Sequence, residues 1–99
     1  MLVTNDTVIY ELNVIRNAYK RLTPNERNCG YIGNLIQRYT TAVEHLPDPV
    51  LARVYELMFV VGHGNHKVAA IMHFDVRTIY RKYLRLVTSL TEFFNGHVL

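Results

Sequence analysis

Residues His66–Val87 read HKVAAIMHFDVRTIYRKYLRLV, and this stretch decides the fold of the C-terminal half of the chain. Its apolar residues recur at intervals of three and four, which predicts helices rather than strands. Val68 and Met72 lie four residues apart, so both are expected to face inward from a short helix. Ala69 or Ala70 would then supply the small residue that lets a second helix approach closely. The stretch therefore predicts two helices packed across a short turn.

The predicted turn consists of His73, Phe74 and Asp75. His73 is expected to take the left-handed backbone conformation, which histidine enters more readily than most other residues with a side chain. Phe74 is expected to fill the space between the two helices. Asp75 is a typical N-cap, and its carboxylate complements the positive end of the helix that follows. That helix is predicted to be long, from about Val76 to about Phe94.

The long last helix has two chemically different sides. Its predicted buried side consists of Ile79, Tyr83, Leu86 and Leu90. The residues that fall together on another side are Arg77, Tyr80, Arg81 and Arg85. A helix that is apolar on one side and basic and aromatic on the other can pack on the protein while presenting positive charge to a polyanion.

The rest of the chain predicts three more helices, so the expected class is all-α with about five helices. The first is expected to begin at Asp6 as N-cap and to end before Pro24 and Asn25. The second follows Gly30 and ends before Pro47, and the third begins after the Asp48 cap with proline at its first position. We expect a single domain over 1–99, with a helical pair in 1–47 and the functional unit in 48–95.

Charge is concentrated in the last third of the chain. Residues 1–64 contain six Lys or Arg and six Asp or Glu, whereas residues 65–99 contain five basic and two acidic residues and carry the whole net charge of +3. An ordinary solvated surface is the plain alternative to a polyanion-binding face. One cysteine, no secretory leader pattern and no long apolar run predict a cytoplasmic protein without a membrane partner.

The order V-A-x-x-M-x-F-D-V-R-T-I-Y-R, from Val68 to Arg81, resembles the helix-turn-helix of sigma factor region four and of phage late-transcription regulators of the RinA/ArpU type. The resemblance extends from Leu51 to Leu90. Members usually have glycine where this chain has His73, and serine or threonine where it has Asp75. The resemblance implies sequence-specific binding of double-stranded DNA and control of transcription, with contacts near the start of the last helix.

The residues expected to bind DNA are Arg77, Tyr80, Arg81, Thr78, Lys67, His66, Arg85 and Lys82. Arginine can donate two parallel hydrogen bonds to guanine, and lysine suits phosphate. Each of these side chains has a plain alternative role, as a solvated charge, a partly buried ring, or, for Thr78, a hydroxyl bonded to its own helix backbone.

The first functional hypothesis is a DNA-binding regulator of phage or mobile-element type, with a homodimer and RNA polymerase or another regulator as candidate partners. The alternatives are a helical adaptor for proteins, such as an anti-repressor or polymerase-binding factor, and a small DNA-packaging subunit. No acid–base or nucleophilic arrangement indicates an enzyme. The histidines His63, His66 and His73 lack a recognisable ligand spacing, so no metal or other cofactor is expected.

Overall fold

The computed structural model describes residues 2–96, and within that range the chain forms only helices and connecting segments. There are six α-helices and one π-helical segment. They are α1 (Asn5–Arg21), α2 (Pro24–Arg27), α3 (Gly30–Glu44), α4 (Pro49–Tyr55), the π segment (Glu56–Val60), α5 (Asn65–Met72) and α6 (Val76–Phe94). The all-α class is confirmed, with one α-helix more than the five expected.

The start of α1 and the segment after it differ from the sequence prediction. Thr4, not Asp6, caps α1, because the Thr4 hydroxyl accepts a hydrogen bond from the backbone N–H of Thr7 at 3.2 Å. The helix α1 ends at Arg21, before Pro24 and Asn25 as expected, and Pro24 then begins α2. Thr23 and Glu26 form a capping box around it, since each side chain accepts a hydrogen bond from the other residue's backbone N–H.

The helix α4 begins as predicted, with the Asp48 carboxylate accepting a hydrogen bond from Val50 and proline in the first turn. It runs without interruption into the π segment, a wider turn that the spacing of apolar residues does not predict. Three consecutive side chains of this segment, Leu57, Met58 and Phe59, are buried. The π segment contacts α1 and α5, so it lies between the N-terminal helices and the C-terminal pair.

The helices α1 and α6 run side by side in opposite directions. At one end, the Asn95 side chain accepts a hydrogen bond from the Val3 N–H at 2.8 Å and donates one to the Val3 carbonyl at 2.9 Å. Further along, Asn13 and Arg16 of α1 border the same cleft as Tyr80 of α6. The end of α1 therefore lies near the start of α6.

A single core cluster includes side chains from every α-helix except α2 and from the π segment. Its fully buried members in α6 are Ile79, Leu86 and Leu90. The predicted inward side of α6 is confirmed for these three residues, whereas Tyr83 is half-buried at the margin of the core. Within residues 2–96, no helix combines the length and apolar character that crossing a bilayer requires.

Phe74 does not fill the space between α5 and α6 as expected. Its side chain is 38% exposed and lies outside the core cluster. Ala69, at 4% exposure, is the small residue of α5 in the core cluster, and Ala70 faces solvent. All three turn residues are exposed, because His73 ends α5 and Asp75 caps α6 at the surface, so Phe74 between them is held outside the core.

Candidate nucleic-acid interface

The connection between α5 and α6 consists of three residues, 73–75. His73 has φ 59° and ψ 37°, the left-handed conformation, and its N–H donates to the Ala69 carbonyl. The N–H of Phe74 also donates to Ala69, at 3.0 Å. These bonds give the Ala69 carbonyl, in the last turn of α5, the partners that it would otherwise lack. Helix ends of this kind usually have a glycine in the left-handed position. The chain therefore reverses at His73 without a glycine.

Asp75 caps α6. Its carboxylate accepts a hydrogen bond from the backbone N–H of Thr78 at 2.7 Å. The hydrogen bonds from Thr78, and to a lesser degree the neighbouring Arg77, hold the pKa of the Asp75 carboxyl below its usual value. This carboxylate is therefore charged at neutral pH, and it fixes where α6 begins.

The side of α6 that faces solvent carries Arg77, Arg81 and Arg85. They follow one another at intervals of four residues, so they form one stripe along the helix. All three are exposed, and none forms a hydrogen bond or salt bridge with another residue of 2–96. No carboxylate among residues 2–96 forms a salt bridge with them, so the stripe can meet an anionic partner.

One edge of the arginine stripe is aromatic. Tyr80 is 51% exposed, and its ring centroid lies 6.5 Å from that of Tyr83, which lies 6.2 Å from the ring of Phe59. Burial raises the pKa of the Tyr83 hydroxyl, and the neighbouring Tyr80 adds to this effect. The three rings form a row from the surface to the buried Phe59, so Tyr80 packs against Tyr83, which in turn packs against the core.

The remaining predicted contact residues lie around this face. Thr78 and Lys82 of α6 are half-buried, on the opposite edge of the helix from Tyr80. His66 and Lys67 are exposed in the first turn of α5. The residues Gly64 and Asn65, which begin α5, border the same cleft as Tyr80 and Tyr83, so the start of α5 lies next to the aromatic edge.

Sequence reasoning missed the side chains that α1 contributes to this neighbourhood. Asn13 and Arg16 border a cleft of about 200 Å³ together with Tyr80 and Tyr83. The Arg16 guanidinium donates hydrogen bonds to the carbonyls of Gly62 and His63, at 3.2 and 3.4 Å. These contacts join residues 46 and 47 positions apart, so local spacing contains no signal for them.

The histidines do not form a metal centre in the part of the chain that the structure describes. Within residues 2–96, no three His, Cys, Asp or Glu side chains are placed so that they could hold a metal ion together. His66 and His73 are exposed, at opposite ends of α5.

Comparisons with known proteins add no family assignment. A scan against models of protein families and searches of curated proteins and of solved structures found no match to this chain. Function is therefore inferred from the burial, charge and helix geometry of the chain's own residues.

Proposed function

We propose that this chain binds double-stranded DNA in a sequence-specific manner and regulates transcription, with the first half of α6 in the major groove. The observation that carries the proposal is the stripe of Arg77, Arg81 and Arg85 on the outward side of a helix whose opposite side is buried through Ile79, Leu86 and Leu90. The three-residue turn before α6 and the packing of α5 against it fit a helix-turn-helix.

Dimensions and position favour the first turns of α6 as the part that reads bases. A helix of 19 residues is about 28 Å long, whereas the major groove is about 12 Å wide, so only part of α6 can lie against base edges. Arg77 and Arg81 are nearest the start and take the base-reading role, in which each guanidinium donates to guanine O6 and N7. Arg85 lies one turn beyond Arg81 and contacts phosphate.

The flanking residues have supporting roles in this arrangement. Tyr80 contacts a phosphate or a thymine methyl group, Lys82 contacts phosphate, and the Thr78 hydroxyl donates to phosphate. The first turn of α5 contains no acidic residue and no side-chain cap, yet it contains Lys67. The positive end of the helix dipole repels a cation near the helix N-terminus. A phosphate beside Lys67 would offset this repulsion and stabilise the lysine there.

A second candidate function is binding of an acidic protein through the same stripe. Leu84 favours it, because this leucine lies between Arg81 and Arg85 in the sequence and is 43% exposed. An exposed leucine amid arginines is typical of a protein contact as well as of a solvated helix. Binding to duplex DNA that weakens steeply with salt distinguishes the first candidate from this one.

Selection from a pool of random duplexes tests the proposal. A regulator of this kind enriches one sequence motif, and a two-fold symmetric motif with half-sites about 34 Å apart would indicate a dimer. A pool that remains random after repeated rounds, with binding that is insensitive to sequence, contradicts the proposed specificity. In that case the chain is a non-specific DNA binder or uses the stripe for a protein partner.

A further inference from the structure

We propose that the C-terminal half of α1 forms a second contact with the duplex, in which Asn13, Asn17 and Lys20 bind the phosphate backbone beside the groove that α6 enters. The inference rests on the proposed DNA binding by α6. It adds a surface that charge counting along the sequence does not indicate, since residues 1–64 have no net charge.

The position of α1 places these residues next to the proposed reading face. Because Val3 is joined to Asn95 and Arg16 lies in the cleft with Tyr80, the end of α1 reaches the level at which α6 begins. In a helix-turn-helix this end of the last helix is the one that enters the groove. The end of α1 therefore lies at the same level along α6 as the proposed groove contacts, beside the Tyr80 edge of the reading face.

Two clefts connect the outward side of α1 with the aromatic edge of α6. The first, of about 470 Å³, is bordered by Asn13, Arg16, Asn17 and Lys20 on α1 and by Val60 to Gly62 on the other side. The second is the cleft of about 200 Å³ that contains Tyr80 and Tyr83. Asn13 and Arg16 border both clefts, so the polar surface continues from Lys20 to Tyr80.

Charge along α1 is distributed unevenly. Its acidic residues, Asp6 and Glu11, occur in the half near Asn95, whereas Arg16, Lys20 and Arg21 occur in the half near the start of α6. Lys20 and Arg21 also complement the negative end of the α1 dipole, which accounts for their presence by stability alone. The test therefore measures DNA binding and its salt dependence rather than stability.

The chemistry of this surface suits a phosphodiester backbone. Lysine supplies a point charge, and asparagine amides donate hydrogen bonds to phosphate oxygens. Arg16 uses two of its donor contacts to hold the loop at Gly62 and His63 against α1, so it positions the cleft. Asn17 and Lys20 are exposed and can be altered without removing that contact.

The first experiment measures affinity for a labelled duplex of mixed sequence between about 50 and about 200 mM salt. Lys20→Ala is expected to reduce the slope of log affinity against log salt by about 0.9, the effect of one lost phosphate contact. Asn17→Asp is expected to weaken binding more at low salt than at high salt, because the added repulsion is screened by salt.

Matched controls change charge equally outside both clefts. Arg53→Ala removes one positive charge from α4, and Gln37→Glu adds one negative charge to the exposed side of α3. Both controls are expected to keep the slope of the unmodified protein. A slope that is unchanged in Lys20→Ala, while Arg77→Ala and Arg81→Ala weaken binding, overturns the α1 contact and leaves the proposed function standing. Absence of duplex binding by the unmodified protein overturns both.

A tethered cleavage probe gives an independent readout of position. Cys29 is the only cysteine in the sequence and is exposed, so Cys29→Ser provides a background for a hydroxyl-radical reagent attached through Asn17→Cys. We expect strand cleavage that flanks the site occupied by α6, and none from Gln37→Cys in the same background. Equal cleavage from the two positions, or none from Asn17→Cys, would contradict the proposed placement.

Discussion

At the scale of single residues, His73 carries the conformational cost of the turn before α6. A left-handed backbone costs an L-residue about 1–2 kcal/mol, and glycine avoids this cost but loses about 0.5–1 kcal/mol more in conformational entropy on folding. We therefore predict that His73→Gly raises the free energy of unfolding by about 0.5–1 kcal/mol. Chemical denaturation measures the change.

The control for this variant is His66→Gly. His66 is also an exposed histidine, but it lies within α5, where glycine is unfavourable by up to about 1 kcal/mol. The two substitutions are thus expected to change stability in opposite directions. If both destabilise the protein to the same degree, the left-handed conformation of His73 is not a source of strain.

Asp75 is predicted to have opposite effects on stability and on DNA binding. Its carboxylate caps α6 but also places a negative charge at the end of the helix that meets phosphates. Asp75→Ala should lower the melting temperature and raise DNA affinity, whereas Asp75→Asn, which retains a capping oxygen, should raise affinity with a smaller loss of stability. Unchanged affinity in both variants would mean that this end of α6 faces away from DNA, and reduced affinity would contradict a repulsion between Asp75 and phosphate.

The pH dependence of the Asp75 cap follows from the direction of its shift. The pKa of this carboxyl is lower in the folded protein than in the unfolded chain, so the cap stabilises the fold above the ordinary aspartate pKa. That contribution is lost as the pH falls through the lower, folded-state value. In Asp75→Asn, which cannot titrate, this part of the acid dependence should be absent when melting temperature is followed against pH.

At the scale of helices, the packing of α5 on α6 is tested by two adjacent alanines. Ala69 is 4% exposed in the core, whereas Ala70 faces solvent. Ala69→Glu should reduce the free energy of unfolding by about 3 kcal/mol or more, because it buries a carboxylate without a partner. Ala70→Glu adds the same side chain in water, and a change within about 0.5 kcal/mol is expected. Equal melting temperatures would show that the register of α5 is wrong.

The helices that could be predicted from sequence are those with strong local signals. Asp48 and Asp75 cap α4 and α6 as expected, because a capping oxygen and the first-turn backbone are close together in the chain. The capping box of Thr23 and Glu26 is a signal of the same kind, and it identifies the helix α2 that the apolar spacing alone did not.

The features that could not be predicted depend on packing between distant elements. The π segment is set by burial of Leu57, Met58 and Phe59 against α1 and α5, and nothing in local spacing specifies a wider turn. The outward position of Phe74 likewise follows from the exposure of the whole turn between α5 and α6, which local spacing does not specify. The prediction for Phe74 was wrong because it rested only on the apolar character of the ring, which favours burial.

Some residues of the candidate site could be predicted from local spacing, and others could not. The spacing of Arg77, Arg81 and Arg85 placed them on one side of a helix, and the structure confirms that all three are exposed. The neighbourhood of Arg16, by contrast, depends on its hydrogen bonds to the loop at Gly62 and His63, far along the chain. What these side chains bind is still a prediction.

At the scale of the whole molecule, a polar cluster ties three helices together. The Tyr39 hydroxyl donates to the Glu11 carboxylate at 2.7 Å, and Arg38 donates to the same carboxylate at 3.0 Å. The rings of Tyr39 and Phe94 lie 4.9 Å apart, and the Arg38 guanidinium lies over Phe94. The cluster thereby joins α1, α3 and α6, and it lies at the end of α6 that is far from the proposed groove contacts.

Tyr39→Phe should destabilise the protein by about 1–2 kcal/mol, because it removes a buried hydrogen bond to a charged group. Tyr55→Phe is the matched control, since the buried Tyr55 hydroxyl forms no hydrogen bond of normal geometry with residues 2–96 and interacts only weakly with the Thr40 side chain. This second substitution should cost less, or increase stability. Equal losses in thermal unfolding would mean that ring packing, rather than the bond to Glu11, accounts for the role of Tyr39.

Tyr39 should also make the stability of the fold sensitive to alkaline pH. Burial and the hydrogen bond to Glu11 raise the pKa of its hydroxyl far above the ordinary tyrosine value, so folding retains a proton that the unfolded chain releases. Stability should therefore fall as the pH rises above about 10. Tyr39→Phe should flatten this dependence, and an unchanged alkaline profile would contradict the contribution of Tyr39.

The claim on which the whole account depends is that the outward side of α6 binds duplex DNA. The most direct test is the affinity of Arg77→Ala, Arg81→Ala and Arg53→Ala for the selected duplex at one fixed salt concentration. We predict that each of the first two loses about 1–3 kcal/mol of binding free energy. Arg53→Ala, which removes from α4 an exposed arginine that pairs with Glu56, should bind as the unmodified protein does. Equal affinity of all three variants and the unmodified protein would contradict the claim.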